Sequence, residues 1–186
     1  MKTGVRALGI AESYRAETSH LAGTVVRASR VVDGFVFSSC TVGGSDATDA
    51  VCAMVERLDR EDVRYLLLSG IAPAWFNVLD LRAIREETAL PTISVTFESS
   101  PGLESAIREA FDDPETVEAR LETYRAQPDR RRVSVNDETV YVRAVGLDGD
   151  AAADVVRGFT PEGGRPEPLR VARLAARGLV EAERDG

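Results

Sequence analysis

A chain of 186 residues, 44% apolar and 29% charged, has the size and composition of one ordinary globular domain, which excludes a disordered tail or a fibrous repeat. Acids outnumber cations 31 to 23, for a net charge of −8, and Lys2 is the only lysine. That balance suits a halophilic protein kept soluble in concentrated salt, where the Debye length falls to about 3 Å at 1 M; a GC-rich genome explains the missing lysines but not the acidity.

Val5 to Ile10 predicts a buried strand, followed by the polar segment Glu12 to Ser19. Leu21 to Ala28 and Val31 to Val42 predict two more strands, with Asp33-Gly34 close enough to the start of the third to form a hairpin turn. After Gly43-Gly44-Ser45, the residues Ala47, Ala50, Val51, Met54, Val55 and Leu58 recur at helical spacing, with Asp46 placed as the N-cap and Asp49 near the positive helix end. Val63 to Ile71 is aliphatic without alternation, the pattern of a central strand covered on both faces. A helix over Phe76 to Glu87, a strand over Pro91 to Phe97, and helices over Leu103 to Phe111 and Glu115 to Arg125 follow. Arg132 to Val145 predicts a further strand or hairpin; Asp150 to Phe159 and Leu169 to Glu183 predict helices. Three hairpin-connected strands followed by βαβ crossovers define an α/β fold with a mixed sheet flanked by helices, for which the ribonuclease H-like architecture is the leading choice. The expected organisation is a single domain over 1–186, with 127–186 as a packed extension too short to stand alone.

The uncharged stretch Leu66 to Leu79 is interrupted by Ser69, Gly70, Pro73 and Asn77, whereas a membrane span needs about 20 apolar residues. The N-terminus lacks a small-residue cleavage site, so a cytoplasmic, non-membrane protein is expected. Cys40, Cys52 and His20 are too few for a structural zinc site; the cysteines read as buried thiols and His20 as a surface strand residue. Charge is unevenly placed: residues 1–119 carry 11 cations and 19 acids, while 120–186 carry 12 of each, including Arg130-Arg131-Arg132.

A nuclease on this fold gathers carboxylates at the ends of its strands to hold Mg²⁺ or Mn²⁺, hard ions that take oxygen ligands and activate water. The acids available there are Glu12 after the first strand, Asp46 at the helix entry, Asp80 after Asn77, and Glu98 after the strand over Pro91 to Phe97. Asn77 and Asp80, three apart, are expected on one helix face. Each has a plainer reading, as a cap, a first-turn polar residue or a solvated strand end. Trp75-Phe76 reads as core before it reads as a base-stacking platform, and the arginine run reads as a solvated turn before a phosphate contact.

Arg6-Ala7-Leu8-Gly9-Ile10, Gly43-Gly44-Ser45-Asp46-Ala47-Thr48, Leu67-Leu68-Ser69-Gly70-Ile71, Phe76-Asn77-Val78-Leu79-Asp80 and Pro166 to Ala172 together resemble the archaeal domain-of-unknown-function family ninety-nine, related to endonuclease V. The resemblance implies a ribonuclease H-like fold and, with the acidic composition, a haloarchaeal origin. It also implies strand-borne metal-binding aspartates at two positions where this chain has Ala11 and Ser69. Glu12 lies one residue later, so on a continuous strand its side chain points to the other face. Three functions are therefore expected as alternatives, the first of them leading. One is an endonuclease V-like protein without the parent nuclease activity that binds nucleic acid or a nucleotide through Asp46, Asn77, Asp80 and Arg130, Arg131, Arg132. Another is a Mg²⁺- or Mn²⁺-dependent nuclease using a rearranged Glu12, Asp46, Asp80 and Glu98 set. The last is an interaction or scaffold module.

Overall fold

The computed structural model describes residues 1–185. Strands β1 (Arg6–Arg15), β2 (Thr18–Arg27) and β3 (Val32–Thr41) form an antiparallel meander. Helix α1 (Ala47–Leu58) crosses to β4 (Val63–Ser69), which runs parallel to β1. A short turn of helix, α2 (Pro73–Phe76), and α3 (Leu81–Thr88) lead to β5 (Thr92–Thr96), parallel to β4. Helices α4 (Glu104–Ala110) and α5 (Pro114–Ala126) precede the hairpin β6 (Arg131–Val135) and β7 (Glu138–Val145), followed by α6 (Gly149–Gly158) and α7 (Glu167–Asp185). The sheet order is β3-β2-β1-β4-β5-β7-β6, with β7 antiparallel to β5. No helix among the described residues is long and apolar enough to cross a membrane.

Side-chain alternation divides the core between the two faces of the sheet. Leu8 and Ile10 of β1 and Leu66 and Leu68 of β4 join α1 and α3 in one apolar cluster. Ala7 and Leu67 join Phe159 and Leu169 in the other, beneath α6 and α7. Helix α7 lies across β1 and β2 because small residues let it approach: a Cβ on Gly9 would stand 2.4 Å from the backbone of Pro168, and Ala22 is fully buried. The Thr24 hydroxyl donates to the Pro168 carbonyl at 2.8 Å, binding the start of α7 to the sheet.

Three sequence expectations are corrected. Strand β1 continues to Arg15, so the supposed polar connection after Ile10 is ladder. Asp33-Gly34 is not the hairpin turn; β3 has already begun, and the turn lies around Arg30 at φ 70°. The register skips Asp33 between the pairs Val25–Gly34 and Val26–Val32, the mark of a bulge that re-aims its side chain. Finally, Phe76 to Glu87 is not one helix. The chain takes left-handed conformations at Ala74, Trp75 and Phe76, leaving Asn77 to end α2 and Asp80 to begin α3, so the two do not share a helix face.

The bulged Asp33 receives Arg6 at 2.5 Å, Arg27 at 3.0 Å and Arg60 at 3.2 Å. Hydrogen bonds from Arg27 and then Arg6, joined by Arg60 and opposed by burial, hold its carboxyl well below the usual carboxylate range. Asp33→Asn is therefore expected to lower the melting temperature at neutral pH. Since the folded-state pKa is depressed, this contribution is complete above the unfolded value of about 3.9 and fades as pH falls below it. Thermal melts of both proteins from pH 7 to pH 3 should show the gap narrowing only at the acid end. A gap that stayed constant throughout would rule out ionic stabilisation by Asp33.

Candidate functional site

Asp46, Asn77 and the end of β3 come together in a latch in which Asn77 is buried, Asp46 half-buried and Thr41 exposed. The Asp46 carboxylate accepts the Thr41 backbone N–H at 3.0 Å, the Thr41 hydroxyl at 2.9 Å and Asn77 Nδ2 at 2.7 Å. Burial works to raise its carboxyl, but the Thr41 backbone bond and the Asn77 and Thr41 side-chain bonds outweigh that and lower it. Asn77 is fully buried; Nδ2 also donates to the Thr41 carbonyl at 2.9 Å, and Oδ1 accepts the Ala47 N–H at 3.0 Å. Asp46 thus occupies the N-cap position of α1 without capping through its side chain; Asn77, thirty residues after Ala47 in sequence, fills that role by accepting the Ala47 N–H. Asn77, expected as a ligand-binding residue, is placed with its amide spent on these bonds and its side chain buried. Asp80 caps α3, accepting from Arg82 and Ala83 N–H groups, while its own N–H donates to the Thr48 hydroxyl. Arg120 buttresses the neighbouring turn from α5, reaching the carbonyls of Phe76, Gly43 and Gly44. Trp75 is 52% exposed on that turn rather than in the core.

The carboxyl ends of β1 and β4 lie on the other face. Ile10 pairs with Leu68, so Ala11 and Ser69 follow as neighbours on adjacent strands, both turned toward α7. Glu12 turns to the opposite face and accepts the Ser19 hydroxyl at 2.5 Å. There burial, joined by the charges of Asp46 and then Glu12, pushes the Cys40 thiol up to about 11. Glu98 is exposed past the end of β5. Among the described residues, no three His, Cys, Asp or Glu side chains are grouped to hold a metal ion. A methyl group and a neutral hydroxyl at the strand ends do not fit the hard-oxygen requirement of Mg²⁺, nor do carboxylates already committed to Thr41, Asn77, Ser19 and the α3 cap.

Around Ala11 and Ser69 the lining is mostly cationic, with Glu12 and Glu98 its only carboxylates. Two adjoining cavities of about 340 and 360 Å³ share Ser69 and Arg173. Arg130, Arg143 and Arg165 line the first, and Ala11, Glu12 and Arg177 line the second. Eight arginines elsewhere pair with carboxylates (Arg6, Arg27, Arg60, Arg108, Arg125, Arg131, Arg157 and Arg170), but none of the five in the cavities does so among the described residues. Aromatic rings fix several of them in place: Arg130 lies over Tyr141 at 4.3 Å, Arg143 over Tyr124 at 5.2 Å and Arg165 over Phe97 at 3.7 Å. Of the sequence run 130–132, only Arg130 reaches these cavities; Arg131 pairs with Asp150 at 2.6 Å, and Arg132 is exposed on the β6 edge.

Sequence reasoning missed Arg143, Arg165, Arg173 and Arg177 because they lie on β7, the loop before α7, and α7 itself. One local signal was present. Arg173 and Arg177 are spaced i, i+4, where like charges repel by a few tenths of a kcal/mol on a helix.

The mixed sheet, with this cleft outside the ends of its parallel strands, defines a ribonuclease H-like fold shared with endonuclease V. Endonuclease V from Ciona intestinalis, solved with an inosine-containing DNA, superposes with a TM-score of 0.63 at 14% identity, covering 95% of this chain and 86% of that one. A protein of unknown function from Archaeoglobus fulgidus superposes at 0.82 with 27% identity, covering 94% and 97%. The chain belongs to the endonuclease dU family, whose sequence profile matches residues 3–180. A UPF0215 protein of Methanopyrus kandleri is 34% identical over 188 residues, covering 98% of this chain and 95% of its own length.

Proposed function

We propose that this chain binds nucleic acid in the arginine-lined cleft and does not hydrolyse it by the metal-dependent route of its structural relatives. The observation carrying this reading is that Ala11 and Ser69, which follow the paired Ile10 and Leu68 on adjacent strands, bring no carboxylate to a cleft lined by five arginines without ion-pair partners among the described residues, against Glu12, which is bonded to Ser19, and the exposed Glu98. Water activation by a divalent ion needs converging carboxylates, and this floor has a methyl and a hydroxyl instead. Phosphate binding needs fixed cationic donors, which arginines laid over aromatic rings supply in a planar geometry matched to phosphate oxygens. Endonuclease V bound to inosine-containing DNA supports nucleic acid as the ligand class. The net charge of −8 opposes long-range attraction, so binding rests on short-range contacts within the cleft.

The test is fluorescence polarisation with inosine-containing, uracil-containing and unmodified oligonucleotides, beside a cleavage assay in Mg²⁺ or Mn²⁺. Binding is expected, with no metal-stimulated cleavage. Replacing both Arg173 and Arg177 with glutamine should weaken binding by about tenfold, as befits two lost phosphate contacts. Metal-stimulated cleavage that disappears in Glu12→Gln would overturn the non-hydrolytic reading and install the rearranged carboxylate site. Absence of binding to every oligonucleotide would overturn the nucleic-acid reading itself.

A further inference from the structure

We propose that Arg143, Arg165 and Arg173 form a pocket for a terminal phosphate monoester, so that the cleft grips the phosphorylated end of a strand. This rests on the nucleic-acid reading and narrows it to one kind of site. The central observation is a terminal nitrogen of Arg165, Nη1, which is buried and has no hydrogen-bond partner. A charged donor removed from water and left unmet is costly, and native proteins seldom leave one without a partner or a role. Arg165 is clamped over the Phe97 ring at 3.7 Å and lines the cavity of about 340 Å³, so its guanidinium is directed by packing rather than by a carboxylate.

The neighbours reinforce the choice of ligand. Burial, and next the charge of Arg173, disfavour the charged form of Arg165, placing two cations close together in one cavity. Arg143 faces the same space, its guanidinium held by the Pro128 carbonyl and the Tyr124 hydroxyl. Arg130 is held at the rim by the Glu98 and Ser100 carbonyls. Against these stand Glu98, the one carboxylate lining the cavity, which is exposed, and Glu138, whose charge acts on Arg165 from the β7 side. A phosphodiester brings one negative charge, whereas a monoester brings about −1.5 to −2 near neutral pH and three strong acceptor oxygens. Convergent guanidinium groups with little carboxylate balance therefore match the monoester better. The volume agrees: about 340 Å³ lies at the low end of small-ligand sites, room for one nucleotide end but not for a duplex running through.

The experiment compares one fluorescent single strand with a 5′-phosphate, a 3′-phosphate or hydroxyl ends, and uses a nucleoside monophosphate as competitor. The full chain, Arg165→Met and Arg173→Gln are titrated in parallel, with thermal melts confirming that each variant is folded. One phosphorylated end should bind about tenfold or more tightly than the hydroxyl-ended strand, the ratio that one or two charge-assisted hydrogen bonds provide. Both variants should bring the phosphorylated and hydroxyl-ended strands to equal affinity; Arg173→Gln should also weaken the hydroxyl-ended strand by about threefold, its share of the general phosphate contacts, so the readout is the ratio between the two ends. Arg173 is exposed, so its variant tests the pocket even if Arg165→Met does not fold. Equal affinity for phosphorylated and hydroxyl ends overturns the pocket while leaving nucleic-acid binding intact. Binding of the monophosphate with no binding of any oligonucleotide upholds the pocket and overturns the nucleic-acid reading.

Discussion

Asn77→Ala is expected to lower the melting temperature by about 6–12 °C, on the basis of roughly 3 kcal/mol lost and about 2–4 °C per kcal/mol for a domain of this size. The side chain is fully buried and bonds to the Ala47 N–H, the Thr41 carbonyl and the Asp46 carboxylate. Truncation leaves the first amide of α1 unmet and removes a donor from a part-buried anion. It also loosens the turn at Ala74, Trp75 and Phe76, where three successive residues hold positive φ at an intrinsic cost of about 1–2 kcal/mol each. The only tryptophan in the chain, Trp75, lies in that turn and serves as a local reporter. Its emission should shift to the red in Asn77→Ala below the global melting transition. A fall of under about 2 °C with unchanged emission would mean that the latch contributes no more than a surface contact does.

Placing carboxylates on the cleft floor should create metal binding that the natural chain lacks. In the double variant Ala11→Asp, Ser69→Asp, the new side chains stand on adjacent parallel strands about 4.8 Å apart, close enough to share one ion. Arg173 and Arg177 border the same cavity and offset part of the repulsion between the new acids when no ion is bound. Millimolar Mn²⁺ should raise the variant's melting temperature by about 5–10 °C, the shift corresponding to about 2.7 kcal/mol at a hundredfold excess over the dissociation constant. The natural chain should not move. An equal rise in both proteins would show that other residues hold the ion, and the neutral strand ends would no longer argue against hydrolysis. A rise in the variant accompanied by cleavage of inosine-containing DNA would show that the rest of the catalytic framework survives.

Much of the fold was legible in the residue order. Aliphatic runs bounded by Gly and Pro located the strands, and the helical spacing of Ala47 to Leu58 located α1 almost to its ends. The errors came where local signals compete with pairing. Asp33-Gly34 has turn chemistry, but a bulge absorbs it because the Asp33 carboxylate has three arginines to meet. Phe76 to Glu87 has helical periodicity, but the latch around Asn77 breaks it into a left-handed turn and a second helix.

For the cleft the division is sharper. By itself the sequence determined that Ala11 and Ser69 carry no carboxylate, at two positions where the family resemblance implies aspartates, and strand alternation turns Glu12 away from the face of Ala11. It also determined the net charge of −8 and the near absence of lysine. The tertiary structure alone decided which cations matter. Of the run at 130–132, only Arg130 turns into the cavity, where it meets Arg143 from β7, Arg165 from the loop before α7, and Arg173 from α7 itself. The physical reason is that α7 can cross the sheet only where Gly9, Ala22 and Thr24 leave room for Pro168, and that close approach carries its arginines over the ends of β1 and β4. Charge totals are additive along a chain, whereas an electrostatic site depends on which charges remain unpaired after packing.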